Sequence, residues 1–159
     1  MALKTIAILS PGDMGEGVGA SIKGQGFDVI TFLKGRSEET RMRSERAGIR
    51  EVRNIEALVA EASLVVSILP PELAENVADQ VSVAMTKTGS TPAYAEMNAI
   101  APNTTKRIGE KISSVGAIFI DGGIIGWAPF KSKSDTRLYV SGTSAGLMEE
   151  LNGNGKRII

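Results

Sequence analysis

The sequence predicts an α/β fold, a mostly parallel, doubly wound sheet with helices on both faces, and three observations carry that expectation. Apolar runs rich in β-branched residues recur at 5–9, 29–33, 64–69, 117–120 and 138–140, with weaker runs at 49–52 and 93–97. They are continuous rather than alternating, the pattern of strands covered on both faces. The segments between them carry helical stripes: Met14, Val18 and Ile22 in the first, and Leu73, Val77, Val81 and Met85 in the fourth. Punctuation falls at the boundaries. Pro71 and Pro102 suit first helical turns, Asn54 and Thr143 suit N-caps, and Gly48 and Gly89 suit helix ends. Strand and helix alternate almost throughout, and right-handed crossovers then give a parallel sheet. At 159 residues the chain reads as one domain, 1–159. The one flexible-looking stretch is "NGNG" at 152–155, after which there is room for a single short strand.

Composition narrows the function classes. Lys plus Arg and Asp plus Glu both count 18, so no global field favours nucleic acid or an anionic membrane, and any anion site is local. The chain has neither cysteine nor histidine. This excludes disulfides, thiolate metal sites and Ser/His or Cys/His nucleophile pairs, and no metal site is expected. No stretch approaches a membrane span and the apolar run at the start is too short for a signal peptide, so a cytoplasmic protein is the expectation.

The first strand runs into Ser10, Pro11, Gly12, Asp13, Met14 and Gly15. A dinucleotide loop uses three glycines: one for the tight turn, one for backbone approach to the pyrophosphate, one for helix-on-strand packing. Gly12 and Gly15 fill the second and third roles, and Ser10 replaces the first, tolerable if its φ stays negative. Pro11 removes a donor, so phosphates fall to the amides near Asp13 and Met14 at the helix N-terminus. Gly15, Gly17 and Gly19 each cost about 0.5–1 kcal/mol in a helix relative to Ala, which implies a close approach on that helix. A Rossmann-type nucleotide fold is the reading. The alternative is a glycine-rich turn that binds nothing.

The end of the second strand separates cofactors. A domain preferring NAD places Asp or Glu there to hold the ribose hydroxyls. Here Asp28 precedes the strand and its tip carries Lys34, Gly35, Arg36 and Ser37. A guanidinium beside a hydroxyl and a helix N-terminus suits a 2′-phosphate, so NADP is expected over NAD. An ordinary solvated basic turn is the alternative.

"IAILSPGDMG", "LKGRS", "LVVSILPPELA", "AEMNAIAPNT" and "FIDGGIIG" together resemble, in order and spacing, the N-terminal domain of the β-hydroxyacid dehydrogenase and 6-phosphogluconate dehydrogenase superfamily, in particular its phosphogluconate dehydrogenase-like branch. The resemblance covers essentially the whole chain. It implies that Gly12, Asp13 and Met14 lie along the pyrophosphate and that Arg36 and Ser37 face the ribose phosphate. Leu69, Pro70 and Pro71 would pass over the adenine and ribose, and Asn98 would sit near the nicotinamide end. As plain structure, Pro70-Pro71 is a strand stop and helix start, and Asn98 an Asx turn before Pro102. The stretch from Asp121 matches the family's substrate loop. Ile125 stands where the family has a serine, and backbone amides at Gly122, Gly123 and Gly126 remain for an anion.

The resemblance further implies hydride transfer between a small hydroxy acid and a nicotinamide, using a lysine on a helix of a second, all-helical domain. The expectation is that residues 1–159 hold only the nucleotide domain, without that helix, so no catalytic residue is named. Lys87, Lys131 and Lys133 qualify by type alone, and "FKSKSDTR" reads as a solvated loop. Two classes stay open: the NADP-binding domain of such an oxidoreductase, taking a small hydroxy-acid substrate if completed by a second domain, or a non-catalytic NADP-binding or sensing module. A methyltransferase is weaker, because it wants an acid where Lys34 to Ser37 stand. Self-association is expected through Ile124, Ile125, Trp127, Ile158 and Ile159.

Overall fold

The computed structural model describes residues 2–133 and 135–159. Its elements are β1 (Thr5–Leu9), α1 (Asp13–Gly24), β2 (Asp28–Thr31), α2 (Glu38–Arg46), β3 (Arg50–Glu51), α3 (Ile55–Glu61) and β4 (Leu64–Ser67). After a 3₁₀ turn (Pro71–Leu73) come α4 (Ala74–Thr88), β5 (Ala93–Glu96), α5 (Pro102–Ser114), β6 (Phe119–Ile125) and β7 (Thr136–Ser141). A second 3₁₀ segment (Ala145–Leu151) leads into β8 (Lys156–Ile158).

The strand order is β3-β2-β1-β4-β5-β6-β7-β8. Every neighbouring pair is parallel except β6–β7, so the predicted doubly wound, mostly parallel sheet is what forms. Chain order reverses between β1 and β4, and Leu9, Ser67, Glu96 and Asp121 stand in one row across the ends of β1, β4, β5 and β6. A ligand crevice opens above such a reversal, because the two halves of the chain lead away from it in opposite directions.

Two apolar layers sandwich the sheet. Val18 and Ile22 of α1, with Met148 and Leu151 of the second 3₁₀ segment, pack on Ile6, Ile8, Val66 and Ala95. On the other face Leu58, Val59, Val81, Met85, Ile108 and Ile112 of α3, α4 and α5 pack on Ala7, Ile30, Val65 and Tyr94. Asn54 caps α3 through Ala57 N–H, and Gly89 ends α4 in the left-handed region at φ 70°. Both positions were legible in sequence.

Several expectations need correction. The buried stripe of α4 is Ala74, Ala78, Val81, Ser82 and Met85, whereas Leu73 is exposed and lies in the preceding 3₁₀ turn. Thr143 is not the cap of the 3₁₀ segment, which begins after Ser144 and has no side-chain cap. Strand β6 is longer than the apolar run, because antiparallel pairing with β7 draws the glycine-containing stretch from Asp121 to Ile125 into the ladder. Residues 152–155 are pinned rather than loose. Asn154 exchanges two hydrogen bonds with Ser21, and Gln25 donates to the Asn152 carbonyl at 2.8 Å.

That turn buries Lys156 completely. Its ammonium donates to Gln25 Oε1 at 2.6 Å, Ser21 Oγ at 2.9 Å and the Gly153 carbonyl at 3.3 Å, with no carboxylate among these acceptors. Burial lowers its pKa from 10.5 to about 8. The folded state therefore binds this proton less tightly than the unfolded chain does. The stability deficit is complete below about 8 and vanishes above 10.5. Denaturation midpoints should accordingly rise between those pH values, and Lys156→Met should flatten the rise. An equal slope in both proteins would contradict this role.

Candidate functional site

The turn from β1 into α1 builds the floor of the site. Ser10 adopts φ 54°, not the negative value expected from its side chain. The reversal from strand top to helix start demands a left-handed residue where the fold more often has glycine, and serine accepts it at a cost of about 1 kcal/mol. Pro11 is buried beneath the turn. Gly12 is the N-cap of α1 and no side chain caps the helix, so the first amides of α1 have no side-chain acceptor. A Cβ on Gly12 would meet nothing within 4 Å. The backbone there faces open space that a phosphate can approach.

Gly17 and Gly19 answer the question their helical cost raised, and they answer it with protein rather than ligand. A Cβ on Gly17 would lie 2.9 Å from Pro129 Cδ, and one on Gly19 2.5 Å from Ile49 Cδ1. Helix α1 is thereby clamped between the β6–β7 connection and the entry to β3.

Above the turn lies a cleft of about 410 Å³ lined by Ser10, Gly12, Asp13, Met14, Gly15, Arg36, Thr40, Ile68, Leu69 and Pro70. A second hollow of about 180 Å³ is lined by Leu9, Ser10, Phe32, Lys34, Gly35, Arg36, Ile55, Val77 and Gln80. Ser10 and Arg36 belong to both. The two form one groove across the tips of β1, β2 and β4, with helix amides at one end and an apolar slot at the other. Sequence reasoning missed Thr40, Ile68, Phe32, Ile55, Val77 and Gln80. Only Thr40 carried a local signal, one helical turn beyond the proposed basic tip.

Arg36 sits where the groove narrows. The turn 33–36 is closed by Arg36 N–H donating to the Leu33 carbonyl at 2.9 Å, with Gly35 at φ 78° in its third position. Arg41 braces it by donating to the same carbonyl at 2.9 Å and pairing with Glu51. Arg43 pairs with Glu39 and Glu16, and Arg46 with Glu16. Arg36 and Lys34 have no such partner among the described residues. Ser37 does not line the groove. Its hydroxyl accepts from Thr40 N–H at 3.3 Å and caps α2.

Leu69 and Pro70 line the cleft, while Pro71 starts the 3₁₀ turn outside it. Asn98 lies under the groove rather than in it, and its side chain is fully engaged. Its Oδ1 accepts from Leu69 N–H at 2.8 Å and its Nδ2 donates to Ser67 Oγ at 3.0 Å and to Glu96 Oε1. Asn98 N–H also donates to that carboxylate oxygen, at 3.0 Å. Glu96 is wholly buried, with Oε2 unpartnered. Burial raises its pKa, and the neighbouring Asp121 carboxylate adds to the effect. Sequence reading assigned no role to Glu96, since a lone acid in an apolar strand has no periodic signature.

The predicted substrate-loop residues lie apart from the groove. Asp121, Gly122 and Gly123 are paired in β6, and Gly126 follows it at φ 115°. Asp121 lines a separate open hollow against Pro102, Thr105, Lys106, Gly109 and Glu110 of α5. Lys131 is not simply solvated: its ammonium pairs with the Asp13 carboxylate. No cluster of three or more acidic metal-ligating side chains occurs among the described residues. No helix among them is long and apolar enough to cross a membrane.

The glycine turn at a strand-order reversal and the groove beyond it are matched by a family model, the NAD binding domain of 6-phosphogluconate dehydrogenase, over residues 5–151. The chain belongs to that family. Solved structures agree on the fold of this NAD(P)-binding domain. A conserved protein of unknown function, described as structurally similar to 3-hydroxyacid dehydrogenases, is 23% identical with a TM-score of 0.82, over 97% of this chain and 56% of that one. The 3-hydroxyisobutyrate dehydrogenase of Mycobacterium tuberculosis, solved with L-serine, is 22% identical with a TM-score of 0.80, over 100% of this chain and 54% of that one. An imine reductase from Myxococcus stipitatus in complex with NADP+ is 15% identical with a TM-score of 0.74, over 98% and 54%. A variant of that reductase is described with NAD+. The chain thus spans a little over half the length of these proteins. Among curated proteins none matches the chain.

The brace under the groove is testable by itself. Asn98→Ala would leave Leu69 N–H without its acceptor and remove the side-chain donor to the buried Glu96 carboxylate, which would keep only the backbone N–H of residue 98. It should cost about 2–4 kcal/mol in chemical denaturation, more than a surface Asn→Ala change. A loss below about 0.5 kcal/mol would remove Asn98 from the load path.

Proposed function

We propose that this NAD(P)-binding domain binds NADP in preference to NAD, as the nucleotide-binding part of an oxidoreductase acting on a small hydroxy acid. The observation that supports the preference is Arg36. It is half-buried at the junction of the two hollows, its guanidinium is unpaired among the described residues, and no carboxylate ends β2. A carboxylate there would hold ribose hydroxyls and repel a 2′-phosphate, whereas a guanidinium binds the phosphate through two parallel hydrogen bonds.

The remaining residues fit the rest of a dinucleotide. The amides of Asp13 and Met14 at the start of α1 would receive the pyrophosphate. Phe32, Ile55 and Val77 offer apolar surface to the adenine, and Leu69 and Pro70 line the adjoining cleft. A bound nicotinamide supplies hydride transfer. The groove itself contributes binding and orientation: its lining includes no histidine or cysteine, and its basic groups Lys34 and Arg36 stand at the β2 tip. That same lining supports the second reading, a binding or sensing module without chemistry of its own.

Titration of NADPH and NADH by intrinsic fluorescence or calorimetry tests the assignment. Arg36→Ala should weaken NADPH by about 1–3 kcal/mol and leave NADH nearly unchanged. Equal losses for both would refute the preference.

Helix α5 packs on β6 at Phe119 and Asp121, whereas Ile125, Tyr139 and Ile159, further along the same face of the sheet, are exposed, as are Trp127 and Phe130. Ile124 and Ile158, expected in this patch, instead pack against the core on the opposite face. We propose that a second copy of the chain covers the exposed face. Sedimentation velocity should show concentration-dependent dimers that Trp127→Ser with Ile125→Ser reduces to monomers. Monomers alone at high wild-type concentration would contradict this.

A further inference from the structure

Helix α1 carries two acids in its first turn, Asp13 and Glu16, at the end proposed to receive a pyrophosphate. Carboxylates there oppose a bound phosphate, because they occupy the same favourable field of the helix N-terminus and repel a second anion. Each is met by cations from elsewhere in the chain. Glu16 is held by Arg46 at 2.9 Å and Arg43 at 3.7 Å, both from α2. Asp13, which lines the cleft directly, is held by Lys131 from the β6–β7 connection.

The placement of Lys131 is built rather than incidental. Ala128 and Pro129 are buried against Gly17 of α1, where no side chain would fit. Lys131 N–H then donates to the Ala128 carbonyl at 3.1 Å, closing a turn with Pro129 second and Phe130 third. Phe130 takes φ 70°, a value that favours glycine, and its ring lies over Gly155, whose Cβ position is 3.1 Å from Phe130 Cε1. The Phe130 side chain is otherwise largely exposed, so the turn is held by buried Ala128 and Pro129 and by this one ring contact. Here the result is a lysine held over one carboxylate, 118 residues away in sequence.

We propose that Lys131 is a positioning residue for the cofactor: it neutralises Asp13, so that the N-terminus of α1 presents amides and not a net negative charge to the pyrophosphate. This rests on the dinucleotide reading of the groove. Lys131 acts through Asp13 and needs no contact with the ligand. Because the pyrophosphate is common to both cofactors, its effect does not discriminate between them, in contrast to that of Arg36.

The test is titration of NADPH and NADH into wild type, Lys131→Ala, Lys131→Arg and Lys131→Ala with Asp13→Asn, at low and high salt. Lys131→Ala should weaken both cofactors alike, by about three- to tenfold at low salt and less at high salt, as expected for one partly exposed charge. Lys131→Arg should keep wild-type affinity, and Asp13→Asn should restore binding to the Lys131→Ala protein. Thermal denaturation verifies that each variant is folded, which the exposure of both side chains favours. Wild-type affinity in Lys131→Ala would overturn the proposal, and so would a loss that persists in the double variant, since Lys131 would then touch the ligand itself. A wild-type chain that binds neither cofactor would instead overturn the dinucleotide reading, and this proposal with it.

Discussion

Close packing around α1 is the constraint on which the rest of the structure depends. The helix lies on β1 through Val18 and Ile22, accepts Ile49 at Gly19 and Pro129 at Gly17, and is tied to the last turn through Ser21, Gln25 and Lys156. Segments from both halves of the sheet therefore meet on one helix. A bulkier residue at either glycine would push away a neighbouring backbone or side chain, because a packed interior has little free volume to absorb it. The N-terminus of the same helix is the floor of the groove. Rigidity of α1 is thus also rigidity of the site.

Charge is handled locally in a chain whose net charge is zero. Arginines of α2 hold Glu16, Glu39 and Glu51, and one of them also ties down the turn after β2. These are exposed pairs, each worth little to stability. Their consequence is positional: they take up basic residues near the groove and leave Arg36 and Lys34 without a partner among the described residues. The buried polar groups follow a different logic. Asn98 links Glu96, Ser67 and the Leu69 amide beneath the cleft wall, and its two donors to Glu96 Oε1 offset part of the cost of burying that carboxyl, whose Oε2 stays unpartnered.

The parts of the fold that follow from local pattern were legible from the residues. Strands β1 and β4 are nearly continuous apolar runs because both of their faces are covered. Asn54 and Gly89 terminate helices through interactions within a few residues. Of the residues expected at a cofactor site, Ser10, Gly12, Asp13, Met14, Arg36, Leu69 and Pro70 come together along one cleft. What was misread depended on distant partners. Asp121 to Ile125 was read as a loop from its likeness to the family's substrate loop, yet β7 pairs with every residue of the stretch. Residues 152–155 looked loose because their composition is that of a flexible turn, and only the arrival of Ser21 and Gln25 fixes them.

By itself, the sequence determined the strand–helix alternation, the family, and the chemistry of the loop and basic tip, since those rest on periodicity, turn residues and side-chain type within short windows. The tertiary structure alone decided that Ser10 is left-handed, that Ser37 caps a helix, that Asn98 braces the cleft wall, and that Lys131 meets Asp13. Each of these depends on where a residue far along the chain comes to rest, and local preference does not encode such distances.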